Sequence, residues 1–309
     1  MAAAGEPGNT APQAGPEEAG RSWPGVIMIA ASAAAFSSAG LFTGLLPTDI
    51  WTMLFWRSAF GGLVIGGFLA WSHGAALAGM VRRIGLPGLA VAACSTAGTI
   101  CFLFALRQSS VAEVTVIYAT APFIAAVATW AWTGERPGRT TLGASLLALI
   151  GVMAMVRAAP AAGHLAGNLL ALAMTTLIAT MMVIIRRHRE VSMLPAACLS
   201  AFACMLVVAP AADPAGVTGP EFLALALFGI LFGLGLLLLT LGSRRIAAAR
   251  AALIGNLELP LAPFWAWLAL GQLPPRAAWL GGAIVLVAVL VDIAAGACSA
   301  RPVVRARQA

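Results

Sequence analysis

The sequence contains no lysine, a single tyrosine and few charged residues of any kind. Asp, Glu and Arg together make up 9% of its 309 residues, whereas 61% of the residues are hydrophobic. A soluble domain has about 25% charged and about 45–50% apolar residues. The composition therefore excludes an ordinary soluble domain and indicates an integral membrane protein.

The formal net charge is +7, and all 18 basic residues are arginines. A basic balance supports nucleic-acid binding only where the basic residues form a water-exposed face. Because most of this chain cannot be exposed to water, we predict no nucleic-acid partner.

The missing lysine has a second consequence, since the phosphate-binding motif G-x-x-x-x-G-K-[ST] cannot occur without it. The motifs H-E-x-x-H and G-x-S-x-G are also absent, and His73, His164 and His188 lie outside the centres of the apolar segments. The five cysteines lack the spacing of metal ligands with nearby histidines. We therefore predict no catalytic residue, no metal and no cofactor.

Long apolar runs make up most of the sequence. A membrane-spanning helix needs about 20 predominantly apolar residues. Strands of a membrane barrel would be far shorter and would alternate in hydrophobicity, so we predict helices throughout. Ten such runs occur, at residues 25–46, 48–71, 86–106, 111–133, 140–156, 165–185, 193–212, 220–241, 247–270 and 277–296.

The arginines predict the orientation of these ten segments, because cytoplasmic loops carry an excess of basic residues. With ten crossings both termini lie on the same side. That side collects thirteen arginines, whereas the other side collects only three, Arg107, Arg157 and Arg276. We therefore predict a multi-pass protein of the cell (inner) membrane with both termini in the cytoplasm.

The second half of the sequence repeats features of the first half in the same order. Each half has a proline inside an apolar run, then a Trp-Ala-Trp cluster and then a glycine turn. These features are Pro122, Trp130–Trp132 and Gly134-Glu135 in the first half, and Pro260, Trp265–Trp267 and Gly271-Gln272 in the second. Because five spans per repeat is an odd number, the two repeats must be inverted in the membrane. Inverted repeats with broken helices are typical of secondary transporters.

The predicted organisation has four parts. Residues 1–22 form a disordered cytoplasmic tail, and residues 297–309 form a basic cytoplasmic tail. Residues 23–157 form the first five-helix repeat, and residues 158–296 form the second. The predicted fold class is thus an all-α integral membrane protein with ten transmembrane helices, arranged as two inverted five-helix repeats.

Several short motifs carry a resemblance to a known family. They are Phe55-Trp56-Arg57, Phe104-Ala105-Leu106, Ala121-Pro122, Gly134-Glu135 and the segment from Leu142-Gly143 to Gly151-Val152. In the order and spacing of these motifs, residues 25–296 resemble the EamA family of the drug/metabolite transporter superfamily. The second repeat departs from the pattern, with Gly271-Gln272 where the family usually has Gly-Glu. The resemblance implies a transporter of small organic metabolites, often an exporter, with a central cavity between two five-helix bundles.

Glu258 is the strongest candidate for a functional residue, because an ionisable group at the centre of a span costs about 2.5–3.5 kcal/mol on insertion scales. It lies twelve residues into the ninth segment and therefore near the midplane. Asn256 precedes it, and we predict helix breaks at Pro122, Pro260 and Pro263, because a proline leaves backbone carbonyls one turn back without a donor. The buried carboxyl can exchange protons or pair with a cationic substrate, and the alternative is a structural carboxylate paired with a buried arginine.

Arg57 is that arginine, about nine residues into the second segment and too deep to reach either surface easily. A buried arginine pairs with a carboxylate or with backbone carbonyls, or binds an anionic group of a substrate. We favour a structural role, with Glu258 or Asp292 as the partner, and keep substrate binding as the alternative. Arg250 is expected to extend its side chain to the cytoplasmic surface, and Asp292 is expected at the interface.

Hydroxyl groups near the Pro122 break complete the candidate set. Tyr118 and Thr120 could present their hydroxyls to a substrate, and Tyr118 shares a helix face with Pro122, four residues on. Ser95 and Thr99 are further polar candidates for the lining of a cavity. The predicted substrate-binding residues are therefore Glu258, Asn256, Tyr118, Thr120 and Arg57. The tryptophan clusters are expected in the interfacial belt, with the mouth of a cavity as the alternative.

Three glycine pairs with the spacing G-x-x-x-G predict close helix packing. They are Gly40/Gly44, Gly62/Gly66 and Gly229/Gly233. Such faces could pack helices within one protomer or join two protomers, so a homodimer stays open. The other expected partners are the lipid bilayer and a small-molecule metabolite.

These features together predict a secondary active transporter that moves a small organic metabolite by alternating access. We predict an exporter, with coupling to protons as one option. The alternative is a non-transporting scaffold or a channel, although a channel would more naturally display rings of identical polar residues. An intramembrane enzyme is the least favoured class.

Overall fold

The computed structural model describes residues 16–74, 77–109, 111–134, 137–156, 165–271 and 276–299. In these ranges the chain is helical and contains no strand. The helices are α1 (Pro16–Phe36), α2 (Ala39–Leu45), α3 (Ile50–His73), α4 (Leu77–Arg83), α5 (Gly85–Gln108), α6 (Val111–Tyr118), α7 (Ala121–Thr133), α8 (Arg139–Val156), α9 (Leu165–Arg187), α10 (Leu194–Val208), α11 (Gly219–Ser243), α12 (Ala248–Gly255), α13 (Glu258–Leu270) and α14 (Arg276–Ser299).

Eight segments in the described ranges are long and apolar enough to cross a membrane. They are Trp23–Leu45, Ile50–His73, Gly85–Gln108, Glu113–Trp132, Leu165–Arg187, Leu194–Ala211, Gly219–Ser243 and Arg276–Ala295. The two remaining predicted spans differ from these. The apolar part of α8 is shorter, Arg139–Ala154, and the ninth predicted span is not among the eight; like the fourth, it is divided into two pieces, α12 and α13. The protein is therefore an all-helical, multi-pass membrane protein, and ten crossings remain a prediction.

The predicted tails lie mostly outside the described residues. Helix α1 begins at Pro16, within the segment predicted as an N-terminal tail, and α14 ends at Ser299, within the predicted C-terminal tail. Glu135 and Gln272 of the two glycine turns also lie outside the described residues.

Two broken helices of equal dimensions occupy equivalent places in the two halves. Each consists of an eight-residue piece, α6 or α12, followed by a two-residue break and a thirteen-residue piece, α7 or α13. The breaks are Ala119-Thr120 and Asn256-Leu257, and each lies shortly before a proline that cannot donate a backbone hydrogen bond. Gly134 and Gly271 end the second pieces in the left-handed conformation, with φ of 72° and 65°, which glycine adopts without steric cost.

Pro263 does not break the chain, in contrast to the prediction. It lies inside α13, which continues to Leu270. As the sixth residue of this helix, Pro263 leaves only the carbonyl of Leu259 without its usual donor, and the helix tolerates that loss.

The main helix contacts join the two halves of the chain. Helix α3 packs on α10 and α11, α5 packs on α9 and α10, α1 packs on α11, α7 packs on α12, and α8 packs on α14. We number the five predicted spans of each half from one to five. Each of these contacts then either joins two spans of the same number or has a counterpart in which the two halves are exchanged. The two halves are thus interleaved, rather than separated into two bundles as the resemblance implied, and the centre of the molecule lies between them.

The glycines of α11 allow it to approach α3 closely. A Cβ atom at Gly233 would lie 2.7 Å from the carbonyl oxygen of Gly61, and a Cβ at Gly229 would lie 2.9 Å from the carbonyl oxygen of Arg57. Both neighbours are backbone atoms, which cannot move aside independently of the helix. The predicted close packing at this pair therefore occurs within the protomer.

The other two glycine pairs differ from each other. Gly62 and Gly66 face α10, where a Cβ would lie 2.9 Å from the ring of Phe202 and 3.5 Å from the sulfur of Cys198. Gly40 and Gly44, in contrast, have no described atom within 4 Å of an added Cβ. Only the first of these pairs contributes to packing inside the protomer.

We expect Gly233→Ala to lower the free energy of unfolding by about 1–3 kcal/mol, because the new methyl group overlaps the backbone of α3. The matched control is Gly40→Ala, which has open space and should be neutral or slightly stabilising, since alanine favours the helix. Thermal unfolding of the purified protein in detergent measures both. Equal midpoints for the two variants would contradict the close α3–α11 contact.

A buried ion pair connects α12 to α14. The Nε of Arg250 lies 2.7 Å from Oδ2 of Asp292, and its Nη2 donates to the backbone carbonyl of Asp292 at 2.9 Å. Thr141 of α8 donates to Oδ1 of Asp292 at 2.7 Å, and Asp292 is only 2% exposed. The sequence had suggested that Arg250 extends to the cytoplasmic surface, but it is paired with Asp292 inside the protein instead. The two residues are distant in sequence, so only the packing of α12 on α14 reveals the pair.

Candidate functional site

A cavity lies between the two halves. It contains about 720 Å³ of space between atoms, including its open mouth, and residues of α1, α2, α3, α5, α6, α9, α11 and α13 form its wall. Small-molecule sites are typically concave, mostly apolar and supplied with a few polar groups. The polar residues of this wall are Arg57, Ser95, Thr99, Tyr118 and Glu258, and the aromatic residues besides tyrosine are Phe36, Phe102, Phe228 and Phe232.

Glu258 is the first residue of α13 and follows directly on the Asn256-Leu257 break. The N-terminus of a helix favours a negative charge, because unpaired N–H groups and the helix dipole point towards it. The Glu258 carboxylate forms no salt bridge among the described residues, and its charge interacts with that of Arg57 only at longer range. The broken helix thus presents an unpaired carboxylate to a cavity inside the membrane protein.

Arg57 lies on α3 and reaches the same cavity. Its guanidinium carbon lies 4.0 Å from the ring centroid of Phe232 and 5.1 Å from that of Phe228. Its Nε and Nη1 atoms are buried and have no hydrogen-bond partner. Asp292 is already paired with Arg250 and does not contact Arg57. Glu258 lines the same cavity as Arg57, but the described residues include no ion pair between them.

Three predicted or suggested hydroxyl residues reach the cavity. Tyr118 is the last residue of α6, immediately before the first break, and Ser95 and Thr99 lie one turn apart on α5. Ser95 also accepts a hydrogen bond from Ser200 at 3.0 Å. These hydroxyls give the wall donors and acceptors in addition to the two charged groups.

Asn256 and Thr120 do not line this cavity. The side-chain amide of Asn256 is fully buried and donates to the carbonyl of Ala119 at 3.4 Å. Thr120 donates to the carbonyl of Ile117, three residues back in α6, at 2.6 Å. Both residues lie at the helix breaks, and Asn256 connects the break of one half to the break of the other.

The aromatic residues of the cavity wall could not be identified from the sequence. Phe36, Phe102, Phe228 and Phe232 lie in apolar helices, where a phenylalanine facing the cavity and one facing lipid look alike. Only charged or hydroxyl side chains are conspicuous in such helices, because each of them is costly to bury.

The tryptophans of the two Trp-Ala-Trp clusters have different surroundings. Trp130, Trp132 and Trp267 are 57%, 49% and 38% exposed, which is consistent with the expected interfacial belt. Trp265 instead donates its Nε1 hydrogen to the hydroxyl of Ser37 at 2.8 Å. Ser37 lies between α1 and α2, next to Phe36 of the cavity wall, so this hydrogen bond joins α13 to the wall.

Comparisons with known proteins agree with this architecture. A solved structure described as "Crystal structure of protein" has a TM-score of 0.74 and 19% sequence identity to this chain; the match covers 87% of this chain and 96% of that one. At this identity the likeness shows a common fold. No curated protein matches the chain.

The sequence profile of the EamA-like transporter family matches the chain twice, at residues 23–157 and 165–292. These two segments coincide with the two halves whose broken helices have equal dimensions. Together they contain all the described residues that line the cavity. The chain therefore belongs to the EamA-like transporter family, whose members are membrane transporters.

Proposed function

We propose that the protein is a secondary active transporter that exports a small organic metabolite across the cell membrane by alternating access, with both termini in the cytoplasm. The observation that carries the proposal is the cavity between the two interleaved halves, with the unpaired Glu258 at its wall. A transporter needs a site that both halves contact, because their relative movement must open the site to one side at a time.

We assign to Glu258 the coupling of transport to protons. A carboxyl group inside the membrane is costly when charged, so it exchanges a proton readily when its surroundings change from closed to open. Glu258 begins α13 next to a helix break, so a movement of α13 would change the water access of its carboxylate. Glu258 would then take up or release a proton as the cavity opens to one side of the membrane or the other.

The breaks supply the places where such a movement can occur. Helix pieces α7 and α13 are each separated from the preceding piece by two residues. There the regular helical hydrogen bonds give way to tighter ones, from Thr120 N–H to the carbonyl of Ile117 and from Leu257 N–H to that of Ile254. The Asn256–Ala119 contact joins the two breaks. A change at one break would therefore be transmitted to the other half.

Flux through proteoliposomes tests the proposed function. Liposomes containing the purified chain are loaded with an unlabelled mixture of small metabolites, and uptake of the labelled mixture is followed with and without a proton gradient. We expect saturable counterflow of at least one compound and accumulation that disappears with the gradient. Flux without saturation or counterflow would instead indicate a channel, chemical conversion of the mixture would indicate an enzyme, and no flux would favour a scaffold.

The Trp265–Ser37 hydrogen bond leads to a prediction about access to the cavity. Trp265 lies seven residues beyond Glu258 along α13, about 10 Å farther towards one membrane surface. We expect Trp265→Phe, which removes only the donor, to increase access from that surface about two- to tenfold, as expected for one lost hydrogen bond. The measurement is the rate at which a water-soluble maleimide labels Thr99→Cys, in a protein without its native cysteines.

The control for this prediction is Trp267→Phe, which changes the neighbouring exposed indole of the same cluster and should leave the labelling rate unchanged. Ser37→Ala should reproduce the effect of Trp265→Phe. Equal rates in the two tryptophan variants would show that the hydrogen bond does not restrict access.

A further inference from the structure

We propose that Arg57 binds an anion and that the transported molecule carries a carboxylate, which pairs with Arg57 in the cavity. The inference rests on the proposed transport function and adds a substrate class to it: a monocarboxylate with an apolar body. An inorganic anion such as chloride offers the same negative charge, and the experiment below distinguishes the two sources.

The guanidinium group of Arg57 has buried donors without an acceptor. Arg57 is 4% exposed, and its Nε and Nη1 atoms have no acceptor among the described residues. An arginine side chain stays protonated in proteins and presents donors only. A buried cation without an acceptor is unfavourable by itself, so an acceptor from outside the chain would stabilise it.

No carboxylate of the described residues forms a salt bridge with Arg57, although Glu258 attracts it electrostatically from a longer distance. Asp292 is bound by Arg250 and by Thr141 at 2.7 Å each. Glu113 accepts a hydrogen bond from Ser109 at 2.7 Å. Glu258 shares the cavity with Arg57 but forms no ion pair with it in the described chain. Among the described residues, the one buried ion pair in direct contact is thus that of Arg250, and the donors of Arg57 have no carboxylate bound to them.

Two phenylalanine rings cover the guanidinium group of Arg57. Phe232 and Phe228 lie over the guanidinium group, at 4.0 Å and 5.1 Å from its carbon. Rings stabilise a cation at their faces but accept no strong in-plane hydrogen bond. A carboxylate binds in the plane of the guanidinium, often through two parallel hydrogen bonds. A small rotation of the flexible Arg57 side chain would present its covered nitrogens to the cavity for this purpose.

The rest of the wall suggests the body of the molecule. Apart from the polar residues, the cavity is lined by phenylalanine, methionine, leucine, isoleucine, alanine and glycine side chains or backbone. Such a wall favours an aromatic or aliphatic group. A compound with a carboxylate at one end and an apolar body at the other therefore matches both parts of the cavity.

Three matched compounds test the inference on the wild-type protein. These are 3-phenylpropanoate, 3-phenylpropan-1-ol and 3-phenylpropylamine, which share the apolar body and differ in charge. Binding to the purified full chain in lipid nanodiscs is measured by tryptophan fluorescence and by the shift of the thermal midpoint. We expect the carboxylate to bind at least about tenfold more tightly than the alcohol and the amine, as for a charge-assisted hydrogen-bond pair. Equal affinities would overturn the inference whatever the variants do.

Variants then assign the effect to Arg57. Arg57→Gln should reduce carboxylate affinity at least about tenfold, and Arg57→Lys, which keeps the charge but loses the planar fork, should reduce it less. Arg107→Gln is the control, because Arg107 is exposed at a helix end and should not affect binding. If Arg57→Gln does not fold, the lysine variant and the three-compound comparison still decide.

Flux measurements with and without chloride identify whether Arg57 binds chloride or the carboxylate of a substrate. Chloride is replaced by sulfate, and labelled chloride and labelled 3-phenylpropanoate are followed in counterflow. Counterflow of the carboxylate that persists without chloride supports a substrate carboxylate, whereas chloride flux with no carboxylate binding overturns it. Saturable counterflow of only neutral or cationic metabolites would also overturn the anion inference while the transport function stands. Arg57-dependent carboxylate binding without any flux would retain the binding site and reject transport.

Discussion

Glu258→Gln is expected to abolish proton-driven accumulation of the substrate, to the level of liposomes without protein. Glutamine has nearly the same size and retains hydrogen bonding, but it cannot take up or release a proton. The variant should therefore fold with an unchanged thermal midpoint. Accumulation under a proton gradient in proteoliposomes, measured with the compound found in the mixed-pool experiment, is the readout.

The activities that Glu258→Gln loses distinguish a role of Glu258 in proton coupling from a role in substrate binding. If Glu258 serves only as the proton carrier, counterflow without a gradient persists in Glu258→Gln while accumulation disappears. If the side chain of Glu258 also binds the substrate, both counterflow and accumulation disappear. Glu190→Gln is the control, because the side chain of Glu190 is 89% exposed and lies outside the cavity. Accumulation equal to that of the wild type in Glu258→Gln would rule out the assigned role of Glu258.

Asp292→Ala is expected to lower the free energy of unfolding by about 3–5 kcal/mol, because it leaves the charge of Arg250 buried without its partner. Thr141 would lose its acceptor in the same step. Replacing both members, as in Arg250→Met/Asp292→Leu, should restore most of this loss, since two apolar side chains need no counter-ion. Unfolding of the purified protein in detergent by heat or denaturant measures the three proteins.

An exposed ion pair in the same chain provides the comparison. Arg189 and Glu190 approach to 3.5 Å, but their side chains are 52% and 89% exposed. Exposed pairs contribute about 0–1 kcal/mol, so Glu190→Ala should change the unfolding free energy by no more than that. A loss in Asp292→Ala no larger than in Glu190→Ala would contradict a structural role for the buried pair.

The charged residues of the apolar segments are the part of the site that the sequence identified. Glu258 and Arg57 were conspicuous because a charge inside a membrane is costly, and both lie at the wall of the cavity. Their relation to each other was not predictable. The sequence left Glu258 and Asp292 as alternative partners of Arg57, and the described ion pair of the core instead joins Arg250 to Asp292.

The helix breaks were likewise predictable from the sequence only in part. Prolines mark a site where backbone hydrogen bonding fails, so the interruptions near Pro122 and Pro260 were predictable from local chemistry. Pro263 obeys the same chemistry but lies inside a continuous helix. Asn256 was expected to meet a substrate, whereas its amide contacts Ala119 of the other half. Such a contact depends on how two helices cross, which local sequence does not encode.

By itself the sequence determined that this protein is a helical membrane protein, because composition and apolar length are set directly by the membrane. The repeated order of proline, Trp-Ala-Trp and glycine features also showed its two related halves. Only the tertiary structure decided which side chains face the cavity. Leu223 and Leu225 of α11 illustrate the reason: the first is 72% exposed and the second is 0% exposed. In lipid an outward-facing leucine is as favourable as a buried one, so hydrophobic periodicity carries little information about burial. The walls of the cavity therefore depend on helix packing, and the aromatic partners of Arg57 became visible only in the structure.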